Sequence, residues 1–360
     1  MREICPRKAF VSVCFLTLLM LFFIGAFIYI VDPFYHYRGL NGGKLYPTTT
    51  RFNERYVNDG IIKHYDYNAM IIGTSMTENF KTSEFDSLFH LNSIKVPASG
   101  ASYKEINERL ETAVKYNGNI KMILRCLDYD RLLDAPDDMR YDESYYPTYL
   151  YNDFLLDDVK YLWNKKIAGK VLLDFKTLLN QDKWISFDDY ANWQNEVTFG
   201  KEAIVSSYER TEQAKDEKDL TTQERNNIRE NLYQNVIQIA EENSGIEFFL
   251  FFSPYSIYYW DSLNQSGELT RQLEAEKYAI ELLLGYDNIH LYSFFDEYEV
   301  ISNSNNYKDI QHYSEDINSQ ILVWIKDGHD EITVDNYKEY LDREKEFYCN
   351  YDYEKLFSDS

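Results

Sequence analysis

The sequence contains few cysteines, which argues against disulfide or zinc chemistry. Of its 360 residues four are cysteine, and Cys5 and Cys14 lie in or beside the first hydrophobic segment. Cys126 and Cys349 remain for the folded part, and one possible pair is not a disulfide framework. No Cys-x-x-Cys motif or Cys/His cluster indicates zinc. Cys126 sits inside an apolar run, which predicts a small buried hydrophobe, and no metal or organic cofactor is expected.

Positive charge is also scarce. The chain has 37 basic and 60 acidic residues, a formal net charge of −23. Such a chain repels polyanions, so nucleic acid is not an expected partner. Hydrophobic residues at 44% and charged residues at 27% are values typical of a globular protein. The 33 tyrosines are best explained by a compositional bias, although aromatic contacts at extracellular glycan sites are an alternative.

Charge is absent altogether from the 23 residues Ala9–Val31, which are enough to span a bilayer as a helix. Arg2, Arg7 and Lys8 precede this run. The positive-inside rule then predicts a cytoplasmic N-terminal tail, residues 1–8, and an extracytoplasmic domain anchored in the cell membrane. A cleaved signal peptide is the alternative, but the run is long for one and no small-x-small cleavage site follows it.

After the anchor, residues 32–66 are predicted to be a juxtamembrane lead-in that packs on the domain, with a short helix over Asn53–Lys63. From Tyr67 onward, short apolar runs alternate with helix-like segments, which indicates an α/β fold with a parallel sheet. The predicted domain covers residues 67–330, and a C-terminal helical tail covers 331–360. The predicted strands are Ala69–Ile72, Ser93–Val96, Lys121–Leu127, Ile246–Phe252 and Ile289–Tyr292. The predicted helices are Tyr103–Tyr116, Gln223–Asn243, Glu268–Leu284 and Ser314–Lys326.

Residues 131–220 are too long for an ordinary crossover connection between strands. Val159–Leu179 within them has helical periodicity. We therefore predict a helical insertion that covers the carboxyl edge of the sheet and shapes substrate specificity. A peripheral elaboration without a functional role is the alternative.

Ser75 lies where the first predicted strand gives way to a polar segment, within Asn68–Phe80. A strand-to-helix turn holds a hydroxyl at the carboxyl end of a sheet, where helix N-terminal amides can stabilise negative charge. Taken alone, Gly-x-Ser is equally well explained as a loop that caps a helix. A nucleophilic serine needs a base, so the histidines decide between these interpretations.

The chain has six histidines, and His312 is the one placed to serve as a base. It lies just before the predicted Ser314 helix and after the last predicted strand. Asp309, three residues earlier, can accept a hydrogen bond from one ring nitrogen and leave the other to face a serine. The remaining five lie beside the membrane, before the first strand, in or next to apolar runs, or after the last sheet-associated helix.

These residues resemble a known family. The Gly73-Thr-Ser75 turn, Gly100 after the second strand and Asp309-x-x-His312 before the last helix resemble the SGNH (GDSL-like) hydrolase superfamily. The nearer resemblance is to its membrane-anchored branch, which includes proteins of teichoic-acid D-alanylation and alginate acetylation. The resemblance covers residues 67–127 and 224–326 and implies a three-layer flavodoxin-like fold. It also implies a Ser75–His312–Asp309 triad and an oxyanion hole formed by the amides of Ser75 and Gly100.

The sequence departs from the family pattern at two positions. The first, Thr74 in place of the aspartate of Gly-Asp-Ser, matters little because this side chain does no chemistry. The family's oxyanion-hole asparagine after the third strand is replaced by Asp128, which has to be protonated, turned away or paired with Arg125 to avoid repelling an oxyanion. Asn79 and Glu78 follow Ser75 and are placed to contact substrate, although helix capping and solvation explain them equally well. Ser99 and Gly100 likewise form a good helix N-terminal loop in a protein without activity.

The sequence therefore predicts a membrane-anchored serine esterase or O-acyltransferase that acts on acylated carbohydrates or cell-envelope polymers. A membrane-bound acyltransferase is a further partner that this interpretation suggests. The alternative is a catalytically inactive protein of the same fold that serves as a docking component of a polymer-modifying complex.

Overall fold

The computed structural model describes residues 6–51, 53–180 and 183–357. The chain forms two compact units. Met1–Tyr65 and Glu143–Ser186 make up the first, called here the anchor unit, and Asp66–Asp142 and Phe187–Ser360 make up the second, the sheet unit. The segment predicted as one insertion, residues 131–220, is thus divided, because its central part belongs to the anchor unit and its two flanks belong to the sheet unit.

The sheet unit is built on a six-stranded sheet with the order β2-β1-β3-β4-β5-β6. The first five strands are parallel and β6 is antiparallel to β5. The order 2-1-3-4-5 is the flavodoxin-like one, so the predicted α/β fold is confirmed. The strands are β1 Ala69–Gly73, β2 Ser93–Pro97, β3 Met122–Leu127, β4 Glu247–Phe252, β5 Ile289–Ser293 and β6 Glu331–Ile332.

The α-helices cover both faces of the sheet and fill the anchor unit. In chain order they are α1 Pro6–Val31, α2 Glu54–His64, α3 Thr82–Phe89, α4 Tyr103–Tyr116, α5 Thr148–Tyr151, α6 Val159–Leu162, α7 Lys165–Asn180, α8 Lys201–Ser207, α9 Thr222–Leu232, α10 Gln238–Glu242, α11 Ile257–Ser266, α12 Leu269–Leu283, α13 Tyr298–Ile301, α14 Glu315–Asp327 and α15 Tyr337–Asn350.

Local capping chemistry sets several of these helix starts. Ser102 and Glu105 form a reciprocal capping box at α4, and Thr221 and Glu224 form another at α9. Each box satisfies backbone N–H groups that have no partner inside the helix. The helix predicted over Gln223–Asn243 is present as α9 and α10, with a π-helical turn between them.

In the anchor unit, α1 is long and apolar enough to span a membrane, as predicted. Asp32, which has a positive φ of 50°, ends this helix. Its buried carboxylate accepts hydrogen bonds from the backbone N–H groups of His36, Tyr37 and Arg38 at 2.8–3.0 Å and from the hydroxyl of Tyr161 at 2.8 Å. The chain beyond the helix is therefore held by defined contacts rather than left as a free linker.

Candidate active site

Ser75 begins a 3₁₀ turn directly after β1. The side chain of Thr74 caps this turn by accepting the N–H of Met76. Because Gly73 and Pro97 are paired at the ends of two parallel strands, the loops after β1 and β2 emerge at the same edge of the sheet. Ser75 and Gly100 accordingly line one cleft of about 470 Å³.

His312 lies within hydrogen-bond distance of Ser75. The Ser75 Oγ to His312 Nε2 distance is 2.7 Å, and His312 Nδ1 lies 2.8 Å from Asp309 Oδ2. The carboxylate of Asp309 also accepts the backbone N–H groups of Gln311 and His312 at 2.9 and 2.8 Å. With Nδ1–H donated to Asp309, Nε2 is left unprotonated and able to take the serine proton.

Asp309 is held in its ionised form. Burial alone would raise the pKa of this carboxyl group, but the hydrogen bond and charge of His312 and the two backbone donors lower it below its ordinary value overall. A carboxylate that stays ionised stabilises the imidazolium that forms when His312 takes a proton.

The loop that carries His312 is fixed on both sides. Tyr307 and Tyr313 form an antiparallel bridge across it, and the buried hydroxyl of Tyr307 donates to the carbonyl of Pro254 at 2.6 Å. Ser314 then begins α14. His312 is therefore positioned by its own short hairpin and by the loop after β4.

Gly100 adopts a left-handed conformation with φ of +63°. An added Cβ there would lie 3.3 Å from Nε of Arg140, whose guanidinium covers this turn. A larger residue would be strained by its backbone and crowded by Arg140. The glycine thus keeps the backbone of this turn close to the cleft.

Asp128, after β3, is buried beside the cleft, and Arg125 is not its partner. Its two carboxylate oxygens accept hydrogen bonds from Thr74 Oγ1 at 2.9 Å and from the hydroxyl of Tyr255 at 2.8 Å. Burial, and then the charge of Asp130, raise the pKa of Asp128 to about 6. Arg125 instead donates to the carbonyl of Asn235 at 2.6 Å.

Asn79 supports a neighbouring loop. Its side-chain oxygen accepts the N–H of Trp193 at 3.0 Å. Asn79 is not one of the described residues that line the cleft. The ring of Trp193 meets that of His312 edge-on, with centroids 5.8 Å apart, and Lys308 Nζ lies 4.0 Å from the Trp193 ring centroid. Glu78 does line the cleft.

Sequence reasoning missed several side chains that shape the site. Arg131, Arg140 and Lys308 line the cleft, and Trp193 packs edge-on against the ring of His312. These four residues lie in irregular segments without a motif. Tyr255 also lines the cleft, and it belongs to the Ser253–Ser256 turn after a predicted strand, which the sequence indicates as a wall of the cleft or as an ordinary strand-ending turn. Three cationic side chains at the cleft offset the acidic ones, in contrast to the strongly negative whole chain.

One group of potential metal ligands is found among the described residues, in the sheet unit. Ligand atoms of Glu297, His329 and Asp330 lie within 4.8 Å of one another. His329 Nε2 is already paired with Glu297 Oε1 at 2.7 Å and with Asp330 Oδ2 at 3.2 Å. These ion pairs account for the cluster without a cation.

Comparisons with known proteins add little to this geometry. No protein-family model matches the chain, and no curated protein matches it. A solved structure from Streptococcus pneumonia, described as "a putative platelet activating factor", is similar over 80% of this chain and 91% of its own, with 13% identity and a TM-score of 0.36. A likeness at this level carries no argument about the fold or activity of this chain.

Proposed function

We propose that this protein is an extracytoplasmic, membrane-anchored serine esterase or O-acyltransferase of SGNH type. The observation that carries the proposal is the continuous chain of hydrogen-bond distances from Ser75 Oγ through His312 to Asp309, at 2.7 and 2.8 Å. The proposed roles are nucleophile for Ser75, general base for His312 and orienting group for Asp309. Each residue has the hydrogen-bond partner that its role requires.

In the proposed reaction Ser75 Oγ attacks the carbonyl carbon of an ester while His312 Nε2 takes the serine proton. The backbone amides of Ser75 and Gly100 are proposed to stabilise the oxyanion, and each such donor is worth roughly 3 kcal/mol of transition-state stabilisation. The alcohol leaves with the proton from His312, which produces an acyl-serine. Water, for hydrolysis, or a second hydroxyl, for transfer, then attacks the acyl-serine while His312 takes its proton. The bond between the acyl group and Ser75 Oγ breaks, and His312 returns the proton to Ser75.

The proposed substrates are acyl esters on carbohydrates or cell-envelope polymers. This step rests on the resemblance to the membrane-anchored branch of the SGNH superfamily and on the predicted topology, with a membrane-bound acyltransferase as the proposed partner. No metal or organic cofactor is needed for the proton transfers described.

Asp128 favours a second candidate. A carboxylate ionised above pH of about 6 in the same cleft opposes the negative charge that an oxyanion develops. A catalytically inactive protein of this fold, acting as a docking component of a polymer-modifying complex, tolerates such a group without cost.

Two assays on the full chain distinguish the two candidate functions. One measures labelling by a fluorophosphonate probe, and the other measures hydrolysis of an acetyl-ester reporter. The wild type and a Ser206→Ala control, altered at an exposed hydroxyl on α8, are expected to be labelled and active, whereas Ser75→Ala is expected to lose both signals. Equal signals from wild type and Ser75→Ala would reject the nucleophile, and no signal from correctly folded wild type would favour the docking role.

A further inference from the structure

Helices α6 and α7 of the anchor unit pack against the side of the apolar helix α1. Trp163, between α6 and α7, donates its indole N–H to the carbonyl of Leu21 at 2.8 Å. Its ring would lie 3.1 Å from a Cβ on Gly25, so the glycine gives the indole room to pack closely on α1. Phe175 of α7 meets Phe27 edge-on, with ring centroids 5.1 Å apart.

These contacts lie within the membrane-spanning part of α1. About 20 residues span the hydrocarbon core, so with Lys8 at the inner boundary the core extends from Ala9 to about Ile28. Gly25 and Leu21 then lie about 5 Å and about 10 Å below the outer boundary, at 1.5 Å per residue. A tilted helix uses more residues to cross and places both of them deeper. Trp163 therefore enters the hydrocarbon, where its N–H finds the acceptor that lipid does not offer.

The segment around Trp163 exposes large apolar side chains that no part of the described anchor unit covers. Leu155 is 76% exposed and Leu156 is 71% exposed. So many exposed large apolar side chains within one segment indicate an interaction site. Its other members are Phe154, Val159, Leu172, Leu173 and Leu179.

The charge of α7 suits the polar boundary of a membrane. This helix has four lysines and one aspartate, although the whole chain has a net charge of −23. The aspartate, Asp174, is buried and accepts the hydroxyl of Thr48. The charges that α7 leaves at its surface are therefore positive, as in helices that lie in the plane of an anionic membrane surface.

We propose that residues 154–180, called here the membrane-embedded segment, lie in the leaflet at the C-terminal end of α1, in contact with lipid. The Phe154–Leu156 turn and Trp163 enter the hydrocarbon beside α1, while α7 lies along the boundary. Leu172 and Leu179 there contact the acyl chains, and the neighbouring lysines extend their ammonium groups to anionic headgroups. The protein thus has two membrane contacts: a spanning helix and an interfacial platform packed on it.

Depth-dependent quenching in proteoliposomes tests this proposal on the full chain. Cys5, Cys14 and Cys349 are replaced by alanine, and the buried Cys126 is retained. A single cysteine at Leu155 or Leu172 then carries an environment-sensitive NBD label. Vesicles of phosphatidylcholine and phosphatidylglycerol contain lipids with a nitroxide on the acyl chain, and iodide in the buffer reports exposure to water. Leu18→Cys in α1 confirms insertion, and Val334→Cys in the sheet unit is the matched control because Val334 is apolar and 67% exposed.

The labels at positions 155 and 172 are expected to be blue-shifted, quenched roughly twofold or more by the acyl-chain nitroxide, and protected from iodide, as for an interfacial segment. The label at position 334 is expected to respond to iodide alone. Omitting phosphatidylglycerol is expected to weaken quenching at position 172.

Water-like emission and iodide quenching at both test positions, with Leu18→Cys quenched by lipid, would overturn the proposal. Labels that are water-exposed in these vesicles but shielded in native membranes would also overturn it, in favour of a membrane-protein partner on this surface.

Discussion

Asp128 is the residue at which this site departs most from the pattern of a serine esterase. Its carboxyl group, with a pKa of about 6, is protonated at pH 5 and ionised at pH 8. The ionised form opposes an oxyanion in the same cleft, and asparagine is neutral at both pH values. The hydroxyl groups of Thr74 and Tyr255 can reorient to bond an amide.

We therefore expect Asp128→Asn to raise kcat/KM for an acetyl ester roughly tenfold at pH 8 and to change it little at pH 5. Steady-state rates of variant and wild type at the two pH values provide the measurement. Asp335→Asn, a change at an exposed acidic residue outside the cleft, is the matched control and should leave the rates unchanged at both pH values. A variant-to-wild-type ratio that does not change with pH would contradict the electrostatic explanation.

Asp309 makes a second prediction at this scale. Replacing it by asparagine preserves the shape of the side chain but removes the charge that orients His312 and stabilises its protonated form. We expect kcat to fall by roughly 10³–10⁴-fold for Asp309→Asn with little change in KM. The measurement is ester turnover together with thermal unfolding. A loss of turnover that parallels a loss of folded protein would assign Asp309 a structural role only.

At the scale of elements, the C-terminal helix α15 is joined to α12 by two buried carboxyl groups. Glu276 and Glu344 are fully buried. Burial raises the pKa of both carboxyl groups, and the charge of Glu276 raises that of Glu344 further. Tyr340 donates to Glu276 at 3.0 Å. If both groups were ionised, neither oxygen of Glu344 would have a hydrogen-bond donor among the described residues. A proton shared between the two carboxyl groups would supply that donor.

This pair predicts that stability falls as pH rises. Folding raises the pKa of such an acid above its value in the unfolded chain, about 4.5. Its contribution to stability is complete below that pH and is lost as the pH rises through the pKa of the folded state. In Glu344→Gln the amide donates to Glu276 without a titrating proton. We expect the free energy of unfolding of wild type to decrease more from pH 5 to pH 8 than that of Glu344→Gln, measured by denaturant titration.

Glu346→Gln, on the exposed side of the same helix, is the control for this experiment and should behave like wild type. Equal pH dependence in wild type and Glu344→Gln would mean that the pair is not the source of the effect.

The elements themselves were largely predictable, since each of the five predicted strands lies within one residue of its observed bounds. Buried parallel strands are continuous apolar runs that end at polar turns, and this is a local signal. The helix α11 was missed because its first turn is apolar and the rest is largely polar, so its sequence lacks the period of an amphipathic helix. The two-residue strand β6 depends on pairing with β5 and has no local signal.

At the scale of the whole molecule, the arrangement of charge around α1 predicts which side of the membrane holds the sheet unit. The net charge of the chain is −23, yet Arg2, Arg7 and Lys8 precede α1. We expect a reporter fused after Ser360 to be active when it is an enzyme that folds only outside the cytoplasm and inactive when it requires the cytoplasm.

The control for this topology is a variant in which Arg2, Arg7 and Lys8 are changed to glutamate, which is expected to reduce extracytoplasmic reporter activity. The opposite pattern in the wild-type chain would place the cleft in the cytoplasm and would remove envelope polymers as substrates.

The sequence by itself determined the features that depend on neighbours along the chain: the apolar length of α1, the strands of the sheet, and the turn that presents Ser75. It also narrowed the candidates for a base to His312, because Asp309 lies three residues away. Tertiary structure alone decided the contact between Ser75 and His312, which are separated by 237 positions. It also decided that Asp128 pairs with Thr74 and Tyr255 rather than Arg125, because partners of a buried charge are chosen by packing in three dimensions, which no local pattern records.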